Sequence, residues 1–478
     1  MSTDQTDDER ETENLSTEPD TEKSETDSDE TTESSGTDSE DKKDYWPRVR
    51  SLYDANRGDE ARLYAAAQAK DELQLATDQS SKRIFAYDEE KKILRPNGEQ
   101  KIRELLVRKL GKHHSTYQVR EIKAKVKALT FQDDFGGEFI PVANGDLFVD
   151  PSDPKDSELK DCDPDRAPLS RSEAKLNGQA GCPYFRNHLR DVLPNEKERQ
   201  TLQEYAGYCL YHWDIPFHKA LFAFGPTASG KSTTLRALRK ILGDVSSLSP
   251  QQMVNGRFGA AELEGSWANI RSDLSSELVE NVGLFKEIVG GDEIYIERKH
   301  EQGYKIRPTA KHIYAANQLP EASTDDDAFY RRVLLISFPE TIPKEERENR
   351  SVLDRRLEDE RDGILRWAVK GLLRLLHDNG FTHDRSPKET RRRWEEYTSS
   401  VGQFKASSME VTGDTDDVVS KDEAYIAYSK FCKQQGLSTE SKQELTRILK
   451  RDPQITDKHR TPVPGEGQTR CYVGVRIN

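Results

Sequence analysis

Eight consecutive residues, Gly225-Pro226-Thr227-Ala228-Ser229-Gly230-Lys231-Ser232, have the types and spacing needed to hold a phosphate chain. The glycines permit a tight turn whose backbone N–H groups point inward, and a helix opening at its end adds the positive end of its dipole. Lys231 would then reach the β and γ phosphates, the Ser232 hydroxyl would hold Mg²⁺, and Thr233 follows in the same turn. The bland reading is a glycine turn that merely precedes a helix. The flanks favour the phosphate: Ala220 to Phe224 is an apolar run fit for a strand, and Leu235, Leu238, Ile241 and Leu242 give the next helix an apolar face. The pattern implies ATP and Mg²⁺ as cofactors.

Hydrolysis needs more than a phosphate cradle. A carboxylate on a neighbouring strand must hold the metal through water and orient the attacking water. The run Trp267 to Asp273 offers Asp273, with Glu277 as the alternative if the strand ends later. Alternating Ile294 and Ile296, then Tyr304 and Ile306, predict a β-hairpin with Arg298, Lys299 and His300 between its arms. Such a cationic tip can grip a phosphate backbone, or it can be an exposed charged turn. The run His312 to Asn317 reads as a strand ending in an amide able to contact both the γ-phosphate and the attacking water. Its competing role is to start the turn before Pro320. Arg331 and Arg332 precede the apolar run Val333 to Phe338. They can pair locally with residues 325 to 327, or one can reach a neighbouring subunit's triphosphate, where such a finger contributes on the order of 10³ to 10⁵ in rate.

These groups must be positioned by a sizeable α/β body. The chain has 478 residues, room for roughly three domains, and 33% hydrophobic content. Residues 1–44 hold 18 acidic against 4 basic residues, a net of −14 equal to that of the whole chain. That segment is too polar to offset the entropy of ordering and reads as a disordered acidic tail. The remainder is neutral by count, free to carry basic patches suited to nucleic acid. Residues 45 to 129 read as mainly helical, and 99 to 129 carry nine Lys and Arg against three Glu, either a DNA-facing surface or a solvated face. Residues 139 to 149 read as strand, Asn-Gly turn, strand. Asp161, Asp163 and Asp165 are of the type that holds metal for nucleotidyl transfer, but their Pro-containing, strand-poor setting speaks against that role. The five cysteines are far apart with no CxxC pair, and no apolar run reaches the length of a membrane span. A cytoplasmic protein without a membrane partner is expected.

The order of GPTASGKST, ANIRSDLSS, LFKEIVGGDEI, the cationic hairpin, RPTAKHIYAANQLP and DAFYRRVLLISFP resembles superfamily 3 helicases. More narrowly it resembles the phage and plasmid primase-helicase family related to the poxvirus primase-helicase, and the acidity points to a haloarchaeal virus or plasmid type. The resemblance covers most of residues 80 to 478. It implies an AAA+-type P-loop ATPase core that assembles into a ring, a homo-hexamer, and moves along single-stranded DNA at forked substrates. Under it Lys231 and Ser232 bind phosphate and Mg²⁺, Asp273 belongs to the second acidic motif, Asn317 is the sensor and Arg331 or Arg332 is the finger. Lys299 and His300 match DNA-tracking residues. Two departures stand out: Asp273 is alone where many ring ATPases carry adjacent carboxylates, and only the tail and a helical stretch stand where longer relatives place a catalytic primase domain.

The division expected is an acidic tail at 1–44, a helical or mixed N-terminal domain at 45–195, the ATPase core with flanking helices at 196–400 and a winged-helix unit at 401–478. In the last, helices are expected at Lys421 to Gln434 and Thr439 to Arg451, with Lys458, His459 and Arg460 near the wing and facing DNA. The function expected is ATP-dependent DNA unwinding in replication of a virus, plasmid or integrated element, helped by a separate primase or initiator. A nucleotide-switched origin-binding protein and a DNA-packaging motor are the competing readings.

Overall fold

Three runs of the chain, Ala220–Phe224, Lys311–Ala316 and Val333–Ser337, are buried at every position. That is what a parallel sheet covered on both faces demands. In this computed structural model they form its centre, and the described residues are 45–79, 81–132, 137–153, 156–166, 168–255, 259–274, 282–298, 303–320, 326–450, 452–460 and 469–477. From edge to edge the five strands run Val333–Ser337, Ala220–Phe224, Lys311–Ala316, Ala268–Arg271, Val245–Ser246. Every neighbouring pair is parallel.

Successive residues of a strand face opposite sides, so one sheet closes two cores. Leu221, Ala223, Ile313 and Ile336 join helices Glu196–Leu210, Lys231–Arg239 and Arg361–Asp378 on one face. Phe222, Phe224, Tyr314 and Leu335 join helix Val282–Gly290 and Trp394 on the other. Helices Glu196–Leu210 and Arg361–Asp378 approach closely because glycines face the partner backbone: a Cβ on Gly207 would lie 2.4 Å from the Ala368 carbonyl oxygen.

Register decides which ends meet. Phe224 is level with Ala316 and with Ser337, and Arg271 is level with Tyr314. Gly225, Asn317 and the residues after Arg271 therefore emerge along one edge. Arg331 and Arg332 enter at the opposite edge, a five-residue strand and so roughly 16 Å away.

The N-terminal part is mainly helical through residue 130, and it also holds a small sheet. Helices Trp46–Asp54, Gly58–Leu73, Gly98–Leu110 and Thr116–Thr130 share a core with a four-stranded sheet ordered Ile93–Arg95, Ile84–Asp88, Leu75–Asp78, Phe131–Gln132. These strands have two to five residues each, too short to show a period in the sequence. Next comes the hairpin Ile140–Val142 and Gly145–Phe148, whose turn residues are Ala143 and Asn144, one position earlier than expected. Gly145 starts the return strand, where a Cβ would stand 2.5 Å from the Lys160 carbonyl oxygen. Asp163 pairs with Arg166 at 3.2 Å, and Arg166 reaches buried Asp146 at 2.9 Å.

Residues 400–477 close on Val401, Phe404, Tyr428, Cys432, Leu445, Leu449 and Tyr472. Helices Ser400–Ser408, Lys421–Gln435 and Lys442–Leu449 pack with a sheet ordered Val418–Ser420, Thr469–Val473, Thr456–Arg460. The last helix begins later than the expected Thr439, because Ser441 caps it by accepting from the Glu444 N–H. Among the described residues no helix is long and apolar enough to cross a membrane.

Candidate functional site

At the end of strand Ala220–Phe224 the chain turns sharply against its neighbour. Gly225 has φ +147°, and a Cβ there would lie 2.0 Å from the Phe338 carbonyl oxygen, so no other residue fits. Five residues on, Gly230 takes φ +89° and caps helix Lys231–Arg239. The first N–H groups of a helix have no intrahelical acceptor, so those of Lys231, Ser232 and Thr233 stand at the helix mouth as donors. Residues 227–233 line a cleft of about 810 Å³.

Lys231 is 7% exposed. Its ammonium donates to the carbonyls of Gly225 at 2.8 Å and Pro226 at 2.7 Å and to the Ser229 hydroxyl at 3.1 Å. All three acceptors are neutral. Burial therefore pulls the lysine down to about 8, with the Asp273 carboxylate pulling the other way. A buried cation held only by dipoles, and open to a cleft, suits an anionic ligand.

Ser272, Asp273 and Asn317 line the same cleft from the ends of the next two strands. Strand Ala268–Arg271 stops two residues before Asp273, and the Leu274 N–H donates to the Ala315 carbonyl at 2.8 Å, which holds the acid beside the sensor strand. Asn317 is braced from behind: its carbonyl accepts from Gln403, the Leu319 N–H donates to Tyr397 O at 3.0 Å, and the Trp394 indole N–H donates to Pro320 O at 2.9 Å. Glu277 lies outside the described residues.

Two walls of the cleft were not foreseen. Helix Pro183–Val192 presents Tyr184, His188 and Asp191, spaced to share one face. His188 Nε2 sits 3.2 Å from the Thr234 hydroxyl, and burial lowers its pKa, so the ring is neutral at ordinary pH. The second wall is the stretch after Val333–Ser337. There the Ile342 N–H donates to Ala228 O at 3.0 Å, and Thr341 Oγ1 donates to Thr227 O at 3.3 Å. A polar helix face normally looks at water, so nothing in the sequence distinguished these residues.

The remaining candidates stand elsewhere. Arg331 is exposed, and Arg332 donates to Ala328 O at 2.9 Å near the carboxylates of Asp292 and Asp326. Neither lines the cleft. The hairpin forms between Ile294–Ile296 and Tyr304–Ile306. Arg298 is not an unattached cation at its tip: the guanidinium turns back to the Glu264 carboxylate and the Ala261 carbonyl, and its Nε donates to the Tyr304 hydroxyl at 3.2 Å. A half-buried guanidinium beside a carboxylate gains more from that pair than from projecting into water. Lys299 and His300 lie outside the described residues. Lys458 is exposed on strand Thr456–Arg460, which also carries the backbone of His459 and Arg460.

A family model described as a family of unknown function, DUF5906, matches residues 223–332. The chain is also similar to the putative helicase 184R of Invertebrate iridescent virus 6, at 30% identity over 132 residues. That similarity covers 25% of this chain and 14% of the viral protein, so the chain spans about a seventh of that relative. Among solved structures, the apo form of the NrS-1 C-terminal region is similar with a TM-score of 0.48 at 10% identity, covering 86% of this chain and 99% of that one. The A form of the apo structure of that region gives 0.46 at 11% identity, covering 84% and 95%. The family match runs from within strand Ala220–Phe224 to Arg332, and so takes in Lys231, Asp273, Asn317 and both arginines.

Proposed function

We propose that this chain is an ATP-driven DNA helicase of the superfamily 3, primase-helicase kind, built on an AAA+-type P-loop core and working as a ring on single-stranded and forked DNA. The observation that carries the reading is the convergence of Lys231, Ser232, Asp273 and Asn317 on one cleft, from the ends of three adjacent strands. The sheet order supports it, because the acid strand is separated from the loop strand by the strand ending in the amide. Asp273 thus stands beside Asn317 rather than beside the strand that leads into the loop.

In this reading Lys231 binds the β and γ phosphates and exchanges its neutral acceptors for anionic oxygens. Ser232 and Asp273 would hold Mg²⁺, which supplies charge neutralisation at the phosphates. Asp273 orients the attacking water, and Asn317 hydrogen-bonds that water and the γ-phosphate. Arg331 or Arg332, at the far edge of the sheet, serves the cleft of an adjacent copy in a homo-hexamer. The bracing of residues 317–320 against helix Pro387–Thr398 gives the amide a route to residues 401–478, assigned as a winged-helix domain with Lys458, His459 and Arg460 on DNA. Residues 196–400 are the motor, 45–195 the domain before it and 1–44 an acidic extension.

Release of a labelled strand from a forked duplex, with ATP and Mg²⁺ and near the ionic strength at which the protein works, tests this. Strand release supports the helicase. ATP-dependent DNA binding without release would replace it with a nucleotide-switched origin binder, and activation by duplex alone would replace it with a packaging motor.

A further inference from the structure

Sheet order sets the two flanks of the phosphate loop apart. Asn317 and Asp273 follow strands on one side of Ala220–Phe224, whereas residues 339–348 follow Val333–Ser337 on the other. This second flank is fastened to the loop through Ile342 and Thr341, as described above. Arg347 lines the same cleft, and its Nε donates to the Ile342 carbonyl at 2.8 Å. Its guanidinium is thus tied through one residue to the loop itself. The next residue, Glu348, accepts from the Tyr184 hydroxyl at 3.0 Å and pairs with Arg356 at 2.7 Å, which joins the strap to helix Pro183–Val192.

Charge argues in the same direction. Among the described residues lining the cleft, Lys231 and Arg347 are the Lys and Arg side chains, against the carboxylates of Asp191, Asp273, Glu340, Glu346 and Glu348. A triphosphate adds further negative charge. A lone lysine at the loop would leave the second flank repulsive, whereas a guanidinium there offers paired N–H groups to phosphate oxygens.

We propose that Arg347 is a nucleotide-binding residue that pairs with phosphate oxygens on the nucleoside side of the triphosphate, away from the bond that breaks. The proposal rests on the nucleotide reading above. Because the phosphate it holds changes little in the transition state, it contributes uniform binding: its loss raises KM and leaves kcat alone.

The test compares wild type, Arg347→Ala, Arg347→Lys and Asp273→Asn by steady-state ATP hydrolysis and by direct binding of ATP and of inorganic triphosphate. The expected result for Arg347→Ala is at least a tenfold rise in KM and Kd for ATP, a parallel rise in Kd for inorganic triphosphate and kcat within twofold of wild type. Arg347→Lys should recover part of the affinity. A fall in kcat at unchanged KM overturns the proposal by moving Arg347 to the transferred phosphate. Weaker ATP binding with unchanged triphosphate binding overturns it in favour of a contact to the base. Unchanged constants make Arg347 a surface residue, while the Asp273→Asn protein still binding ATP keeps the nucleotide reading alive. If wild type binds neither probe, the nucleotide reading itself falls and takes this proposal with it.

Discussion

Nucleotide affinity should fall steeply between pH 7.5 and 9, because the lysine that meets the phosphates is buried among neutral acceptors. Its ammonium has three dipolar partners, and burial lowers its pKa to about 8 against the partly compensating charge of Asp273. With that value roughly three quarters of Lys231 is charged at pH 7.5 and about one tenth at pH 9, so affinity for a ligand that selects the charged form falls roughly eightfold, about 1.3 kcal/mol. A solvent-exposed lysine would titrate near 10.4 and give almost no change over that range. Above pH 7.5 the phosphates are already ionised, which isolates the protein's contribution. Titration calorimetry at pH 7.5, 8.25 and 9, repeated in buffers of different ionisation enthalpy, reads both Kd and the protons taken up on binding. Proton uptake should be about a quarter of a proton at the low end and approach one at the high end. Lys231→Arg, which stays charged throughout, should flatten the profile even if it binds more weakly. A Kd for wild type that does not move across this range, with no proton uptake, would refute the burial argument.

Other outcomes follow from the same geometry. Asp273→Asn should retain ATP binding and lose at least about a hundredfold in kcat, roughly 2.7 kcal/mol of transition-state stabilisation, as read by phosphate release. Gly207→Val should destabilise by about 1–3 kcal/mol or more, since even a Cβ there meets the Ala368 and Leu372 backbone at 2.4 Å, and a denaturant titration will show the shift. Stability should rise as pH climbs from about 7 towards 10. Burial holds Lys311 at about 7 when folded, whereas unfolded it titrates near 10.5, so the unfolded state binds more protons throughout that window. Urea midpoints at pH 7, 8.5 and 9.5 measure this slope, and Lys311→Met should reduce it.

Local signals carried the loop, the two hairpins and two of the three helices of residues 400–477, because each rests on turn chemistry or a period within one short window. The glycines at 225 and 230 were readable from spacing alone, and their strained φ values and close contacts give the reason. Asp273 and Asn317 were readable as strand ends, though only the strand register brings them to one edge. What stayed hidden depends on partners distant in sequence. Arg298 reads as a tip cation in the sequence, whereas Glu264, 34 residues earlier, holds it in the fold. Lys311 and His312 sit inside a strand yet are buried, the lysine because the carbonyls of Tyr211 and Asp214 accept its protons. Asn269 likewise spends its amide on the Leu248 backbone, with its Oδ1 2.7 Å from that N–H and its Nδ2 2.9 Å from that carbonyl. Helix Pro183–Val192 and the strap bearing Arg347 carry ordinary surface composition, and only folding turns those faces towards the loop.

ATP hydrolysis by wild type and Lys231→Ala, each with and without single-stranded DNA, tests the central claim most directly. The account predicts hydrolysis by wild type that rises with DNA, and none above background in the variant under either condition. Equal hydrolysis by the two proteins would contradict it, since the cleft at residues 225–233 would then not be where the nucleotide reacts.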